Sequence, residues 1–215
     1  MKTFAIVPVK KFKNSKTRLS PMLTVDERII LSSFMLSNTL EILAGTSLAQ
    51  VIVVSCDMRA QEIATMHGAK FLHEEKESGV NSAVAIADTY CIKEGADATI
   101  VVPEDLPLLD AIDITMVCEL AQNEANCIVI CPSLRYDGTN VLLRKPPTVI
   151  RTHYDDDSFI AHIKIAKELG IPVKPFFSKR LMSDVDTPED VKQLAKERSG
   201  RSKTTEFLKQ KAARL

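Results

Sequence analysis

The sequence predicts a single α/β domain built on a mostly parallel sheet, with a small antiparallel insertion. Three observations predict it. Short apolar, β-branched runs alternate with helical stretches along most of the 215 residues. The helical stretches end at glycines in the manner of αβ connections. No repeat and no linker-like segment divides the chain.

The first strand is expected at residues 4–9, followed by a basic loop from Lys10 to Arg18. Thr24-Val25-Asp26-Glu27 has the spacing of a capping box, so a helix runs from there to Ala44 and closes at Gly45. Residues 51–55 form a buried strand, 58–67 a helix ending at Gly68, and 69–72 a short strand. A polar loop to Gly79 precedes a helix at 81–93. Ala98 to Val102 is a strand stopped by Pro103, residues 111–122 a helix, and Cys127 to Cys131 a further strand. The alternation then loosens. Asp137-Gly138 is a turn signal before Val141-Leu142-Leu143, which predicts a hairpin or an antiparallel edge. Ser158 to Leu169 is helical, 171–177 is a strand, and Thr187-Pro188-Glu189-Asp190 opens a helix with an N-cap, a proline and first-turn acids. Residues 1–198 are read as the domain. Residues 199–215 form a basic tail, a marginal helix or disordered.

Composition narrows the function. Lys+Arg 28 balance Asp+Glu 28, so nothing points to nucleic acid or an anionic membrane as a partner. No apolar run reaches the length of a membrane span, and the N-terminus lacks a signal-peptide pattern. The five cysteines lie in apolar surroundings without CxxC pairs, as in a cytoplasmic protein with reduced core thiols. They do not cluster with the histidines, so zinc is not expected.

Four constellations could carry chemistry. Lys10, Lys11, Lys13, Lys16 and Arg18 follow the first strand, where a polyphosphate lies in sheets of this class. The loop has neither GxxxxGK[ST] nor GxGxxG. Asp105 follows the strand that ends at Pro103, a position suited to a hard cation such as Mg²⁺. Asp184 and Asp186 alternate along an extended segment, so both face one side and can complete that cation site. Gly79 and Asn81 open a helix of small residues, where a flat ligand can approach and an amide can read a base edge. Gly138 and Thr139 could offer a backbone N–H and a hydroxyl to a small anion, and Ser158 begins a helix, a natural anion site. Taken singly, these runs are explained by a solvated loop, a helix cap or a hairpin turn.

Together and in this order, they resemble the 2-phospho-L-lactate guanylyltransferase family. The runs are Pro8-Val9-Lys10 with Lys16-Thr17-Arg18-Leu19, Gly79-Val80-Asn81, Pro103-Glu104-Asp105-Leu106-Pro107, Gly138-Thr139-Asn140, Ser158-Phe159 with His162, and Asp184 through Asp190. The resemblance implies a GT-A-like nucleotidyltransferase fold, with a Rossmann-like sheet and helices on both faces. It implies that GTP and 2-phospho-L-lactate give lactyl-2-diphospho-5′-guanosine and pyrophosphate, in coenzyme F-420 biosynthesis. Relatives take phosphoenolpyruvate or 3-phosphoglycerate. By position, Asp105, Asp184 and Asp186 would hold Mg²⁺, Lys16 and Arg18 the triphosphate, and Thr139 and Ser158 the phosphorylated acid. Lys10, Gly79 and Asn81 would lie by the nucleotide.

Two departures stand out: Glu104 replaces a small residue, and Asp155-Asp156-Asp157 replace a glycine-containing turn before Ser158. Rival readings are a nucleotidyltransferase for a molybdopterin or sugar phosphate, a sugar-nucleotide-dependent glycosyltransferase, and a non-catalytic nucleotide-binding protein. Oligomeric state is open, a homodimer included.

Overall fold

The computed structural model describes residues 1–197 and 202–213. Seven strands form one sheet in the order β3-β2-β1-β4-β6-β5-β7. They are β1 (Thr3–Pro8), β2 (Gln50–Ser55), β3 (Lys70–His73), β4 (Ala98–Val101), β5 (Cys127–Pro132), β6 (Thr139–Lys145) and β7 (Val173–Pro175). β6 runs antiparallel to β4 and β5, and every other pairing is parallel. The β5–β6 hairpin is as expected, but β6 is not an edge. Thr139 to Arg144 are buried without alternation, and only a strand with neighbours on both sides and cover on both faces satisfies that.

The strand period of two sorts the core. Ala5, Val7, Val53, Ile100 and Leu143 face α1 (Val25–Ala44), α2 (Met58–Met66) and α4 (Ala111–Gln122). Phe4, Ile6, Ile52 and Val101 face α3 (Val80–Lys93), while Ile128, Ile130 and Leu142 face α5 (Ser158–Glu168). The sheet thus has helices on both faces.

A four-residue helix, α6 (Lys179–Met182), and two short turns in the basic loop (Phe12–Asn14 and Thr17–Leu19) have no signal in the apolar pattern. α7 (Pro188–Lys196) starts on the Thr187 capping box. α8 (Lys203–Ala212) is capped by Ser202 and buries Leu208 with Leu31 and Met35 of α1 and Val191 of α7. Residues 198–201, where the sequence places the start of the tail, lie outside the described residues.

β2 and β4 flank β1 on opposite sides, so the connections leaving β1 and β4 part at their carboxyl ends. This is the crevice where open α/β sheets bind ligands. The basic loop leaves β1 there and the Pro103–Pro107 turn leaves β4.

Beneath it lies a buried ion pair. Arg144 on β6 grips Asp88 on α3 with two hydrogen bonds, at 2.9 and 2.6 Å, and donates to Thr99 Oγ1 at 3.0 Å. Removing one partner of such a pair leaves a buried charge, which costs roughly 3–5 kcal/mol. Asp88→Ala should therefore lower stability by that order in urea unfolding, and Asp88→Leu with Arg144→Met should recover most of it. A single-variant loss under ~1 kcal/mol would mean the pair behaves as an exposed one.

Candidate active site

A cleft of about 910 Å³ opens at the carboxyl ends of β1 and β4. Its lining includes Lys10, Lys16, Arg18, Asp105, Thr139, Ser158, Asp184 and Asp186. Residues spread over the length of the chain are thus brought to one place.

Lys16 is the centre of the acidic wall. Its ammonium donates to Asp105 Oδ2 at 2.7 Å and to Asp186 Oδ1 at 2.8 Å, and its side chain is only 4% exposed. The backbone there takes a left-handed conformation, φ 52°, which a lysine adopts only at a cost. Two features hold it. Leu19, two residues past Thr17, is fully buried, and Arg28 Nη1 of α1 donates to the Ser15 carbonyl at 2.8 Å. Burial pulls the Lys16 pKa down, but the charges of Asp105, Asp186 and Glu104 outweigh it, and the group is held above the ordinary lysine value.

The Asp184–Asp186 segment is built as its alternation predicts. Val185 is buried against Leu108 and Val191, which leaves the two carboxylates on the cleft side. The Val185 N–H donates to the Asp105 carbonyl at 3.1 Å and ties this segment to the β4 turn. Asp190 completes the brace: its Oδ2 accepts from the N–H groups of Asp186 and Thr187, at 3.0 and 2.7 Å. Burial raises the pKa of Asp184, with Asp105 adding to it, while the Asn140 amide opposes from 3.0 Å. Burial also pushes Asp186 up, but Lys16, Arg18 and Lys10 bring it below the usual value. Glu104, half-buried, is pushed up to about 7 by burial and then by Asp105. Three carboxyl groups, those of Asp105, Asp186 and Glu104, thus act on one buried ammonium, with Asp184 beside them.

Thr139 and Ser158 line the same cleft. The Gly138 N–H, expected to be open to an anion, donates to Ser133 Oγ at 3.2 Å, and the Thr139 N–H donates to Ser158 Oγ at 2.8 Å. Thr139 Oγ1 lies 3.0 Å from His162 Nδ1, and His162 Nε2 accepts from the His153 N–H at 2.8 Å. His162, fully buried, falls one helical turn after Ser158, so i,i+4 spacing is the signal that could have tied it to Ser158. Burial lowers its pKa to about 4, with Arg144 and His153 adding to the effect and a hydrogen bond at the Ser158 backbone opposing it.

Gly79 and Lys10 line a small neighbouring pocket with Pro8, Glu74, Glu77 and Val80. Gly79 has φ 90°, a conformation that favours glycine. Asn81 is not part of the cleft lining. Its Oδ1 accepts from the Tyr154 N–H at 2.8 Å and its Nδ2 donates to Asp155 at 3.2 Å, so the amide braces the 154–155 loop rather than presenting a free edge. Asn140 belongs to the Gly138-Thr139-Asn140 run but has no role assigned from sequence, because its partners, Asp184 and the Leu181 carbonyl, lie about forty residues away.

Residues 3–213 match the family model described as guanylyl transferase CofC like. The chain belongs to this family. It is similar to a phosphoenolpyruvate guanylyltransferase from Rubrobacter xylanophilus, 36% identical over 90% of this chain and 94% of the relative. It is also similar to a 2-phospho-L-lactate guanylyltransferase from Methanothermobacter thermautotrophicus, 37% identical over 90% of this chain and 84% of the relative. Among solved structures, a cytidylyltransferase from Leptospira borgpetersenii shares the fold, with a TM-score of 0.61 at 14% identity over 97% of this chain and 93% of the other. The architecture is the GT-A-like nucleotidyltransferase fold. Among the described residues, no helix is long and apolar enough to cross a membrane.

The buried neutral His162 makes a pH prediction. Its folded pKa of about 4 lies below the ordinary 6.5, so the unfolded chain takes up the proton first. Stability from this group is full above about pH 6.5 and is lost as pH falls through about 4, on the order of 3 kcal/mol in all. Urea unfolding of the wild type and of His162→Asn from pH 7 to 4.5 should show a shallower pH slope in the variant. Identical slopes would mean His162 titrates normally.

Proposed function

We propose that this protein is a Mg²⁺-dependent guanylyltransferase. It would join the GMP part of GTP to the phosphate of a small three-carbon acid, 2-phospho-L-lactate in the first instance, in coenzyme F-420 biosynthesis. Phosphoenolpyruvate and 3-phosphoglycerate are the alternatives that keep the same chemistry. The observation that carries this reading is one cleft that brings the Lys16, Asp105 and Asp186 cluster together with Thr139 and Ser158.

In this reading Lys10, Lys16 and Arg18 bind the triphosphate, with Lys10 and Gly79 beside the nucleoside and Asn81 bracing the adjoining loop. Thr139 and Ser158 hold the acceptor acid. An oxygen of the acceptor phosphate attacks the α-phosphorus of GTP. A new P–O bond forms, the bond from that phosphorus to the β-phosphate oxygen breaks, and pyrophosphate departs with the electron pair. The attacking oxygen is anionic at neutral pH, so no general base is needed and no covalent enzyme intermediate arises. Positioning and charge stabilisation carry the rate, with Lys16 and Arg18 placed to hold the charge that leaves.

Asp105, Asp184 and Asp186 would hold the metal. Their chemistry fits a hard cation: all are carboxylates, and Asp184 is destabilised as an anion by burial and by Asp105. As the side chains stand, no three such ligands are grouped for a metal among the described residues, and the Lys16 ammonium sits between two of them. The fit therefore requires Lys16 to release at least one carboxylate as the metal and triphosphate enter. When bound, the ion would neutralise phosphate charge at the reacting centre.

Asp105→Asn should lose nearly all turnover while its circular dichroism stays native. Retention of more than about a tenth of the wild-type kcat, a barrier change under ~1.4 kcal/mol, would remove the metal role. A panel of nucleoside triphosphates against the three acids, read by pyrophosphate release, separates this activity from glycosyl transfer, which releases none.

Lys16→Ala and Arg18→Ala should weaken GTP binding far more than GMP binding in calorimetry, because their partners are the distal phosphates. Equal losses for both ligands would move the pair away from the triphosphate end.

A further inference from the structure

The hydroxyls of Thr139 and Ser158 each have one acceptor lone pair occupied and a hydrogen still to be placed. His162 Nε2 faces the His153 backbone N–H at 2.8 Å, and a backbone N–H can only donate. Nε2 therefore carries no proton. A neutral imidazole then has its hydrogen on Nδ1, which lies 3.0 Å from Thr139 Oγ1 and shares that hydrogen with the Ser158 backbone. Thr139 Oγ1 is thus the acceptor in that contact, and its own hydrogen is left to donate elsewhere. The same holds for Ser158. Its Oγ accepts the Thr139 N–H at 2.8 Å, so its hydrogen is the group still to be placed. Both residues line the cleft.

We infer that His162 is a positioning residue. Through the chain from the His153 N–H to Nε2, and from Nδ1–H to Thr139 Oγ1, it keeps the Thr139 hydroxyl from donating to the ring and leaves its hydrogen for the ligand. Beside the Ser158 hydroxyl, it makes a two-donor subsite for the anionic end of the acceptor. The inference rests on the acceptor placement proposed above.

The arrangement has chemical consequences. A subsite with two O–H donors favours a carboxylate or phosphate over a neutral group, because hydrogen bonds to an ionised acceptor are the stronger ones. His162 does this as a neutral group. Were it protonated, Nε2 would carry a hydrogen against the His153 N–H, and the chain would break. Full burial of the ring keeps solvent from supplying a competing partner. The Tyr154 ring packs edge-on against it at 5.0 Å between centroids and holds its plane.

Nuclear magnetic resonance of the full chain labelled with ¹⁵N-histidine tests the tautomer without reference to activity. The expected spectrum shows His162 with a protonated Nδ1 and a bare Nε2, unchanged from pH 7.5 to 5.5. A proton on Nε2 overturns the inference. Kinetics test the consequence. His162→Phe should raise the acceptor KM by about tenfold or more, the loss of one directed hydrogen bond to a charged group, with the KM for GTP unchanged. His162→Asn, whose amide N–H can take the place of Nδ1–H, should recover most of that loss. Thr139→Val reports on the acceptor placement itself. If Thr139→Val raises the acceptor KM and His162→Phe does not, the positioning role is wrong. If Thr139→Val leaves the acceptor KM unchanged while the Nδ1–H tautomer is observed, the acceptor does not bind here, and the placement proposed above falls together with this inference.

Discussion

One ammonium ion ties the functional end of this molecule together. Lys16 Nζ, bonded to Asp105 and Asp186, connects the loop after β1, the turn after β4 and the segment before α7. The Val185 N–H bond to the Asp105 carbonyl joins the last two directly, and Lys16 brings the basic loop to both. Without its charge, Asp105, Asp184, Asp186 and half-buried Glu104 would face one another across a low-dielectric wall. Two unit charges about 4 Å apart repel by roughly 4 kcal/mol at an effective dielectric of 20. A lysine held in a left-handed backbone conformation costs of order 1–3 kcal/mol, which is smaller than the repulsion it relieves. The strained φ at Lys16 is thus explained by the charge it must deliver.

That balance also says why the fold invests so much around the site. The Arg28 bond to Ser15, the Asp190 brace on Asp186 and Thr187, and the Val185 bond to the Asp105 carbonyl do not touch the cleft centre. Each fixes the backbone from which a charged side chain projects. A Lys–carboxylate contact is directional only if both stems are fixed, because a flexible lysine loses up to about 2 kcal/mol of rotamer freedom on being held. Without these braces, much of that loss would fall on the ion pairs themselves.

What the sequence shows and hides follows from the range of each interaction. The α1 and α7 caps were legible because a capping box spans four consecutive residues, and both form as read. The facing of Asp184 and Asp186 was legible because strand alternation is local and Val185 marks the buried side. The interior place of β6 was not, since a turn signal announces a hairpin but not which strand it pairs with next; the partner is β4, forty residues earlier. The polar chain from His153 through His162 to Thr139 was hidden for the same reason. It crosses from β6 to α5 and back to a loop, and only the packing of α5 on the sheet brings its members into contact. Asn81 is the instructive middle case. Its place at the start of α3 was correct, but whether an amide edge is free or used depends on a loop more than seventy residues away.

The acids Asp155 to Asp157 bear on how an anionic acceptor could use the Thr139–Ser158 pair. They line the same cleft, and Asp157 occupies a left-handed position immediately before Ser158. A carboxylate at about 4 Å from a phosphate at that dielectric opposes binding by roughly 4 kcal/mol. Two hydroxyl bonds to a charged group supply about 1.5–3 kcal/mol each, so the two together offset little more than one such carboxylate. The hydroxyls can orient the acceptor, but they do not by themselves overcome this rim. Exposure weakens the repulsion: all three acids face solvent, where screening over a Debye length of about 8 Å applies. The remainder must come from positive charge elsewhere in the cleft, from Arg18 and Lys10 and from whatever cation shares the carboxylates with Lys16. In the proposed reaction the triphosphate and its counter-charge would then have to be in place before the acceptor binds well. In that proposed reaction the nucleotide would bind first, because the positive charge that offsets the acidic rim would come with the bound triphosphate and its counter-ions.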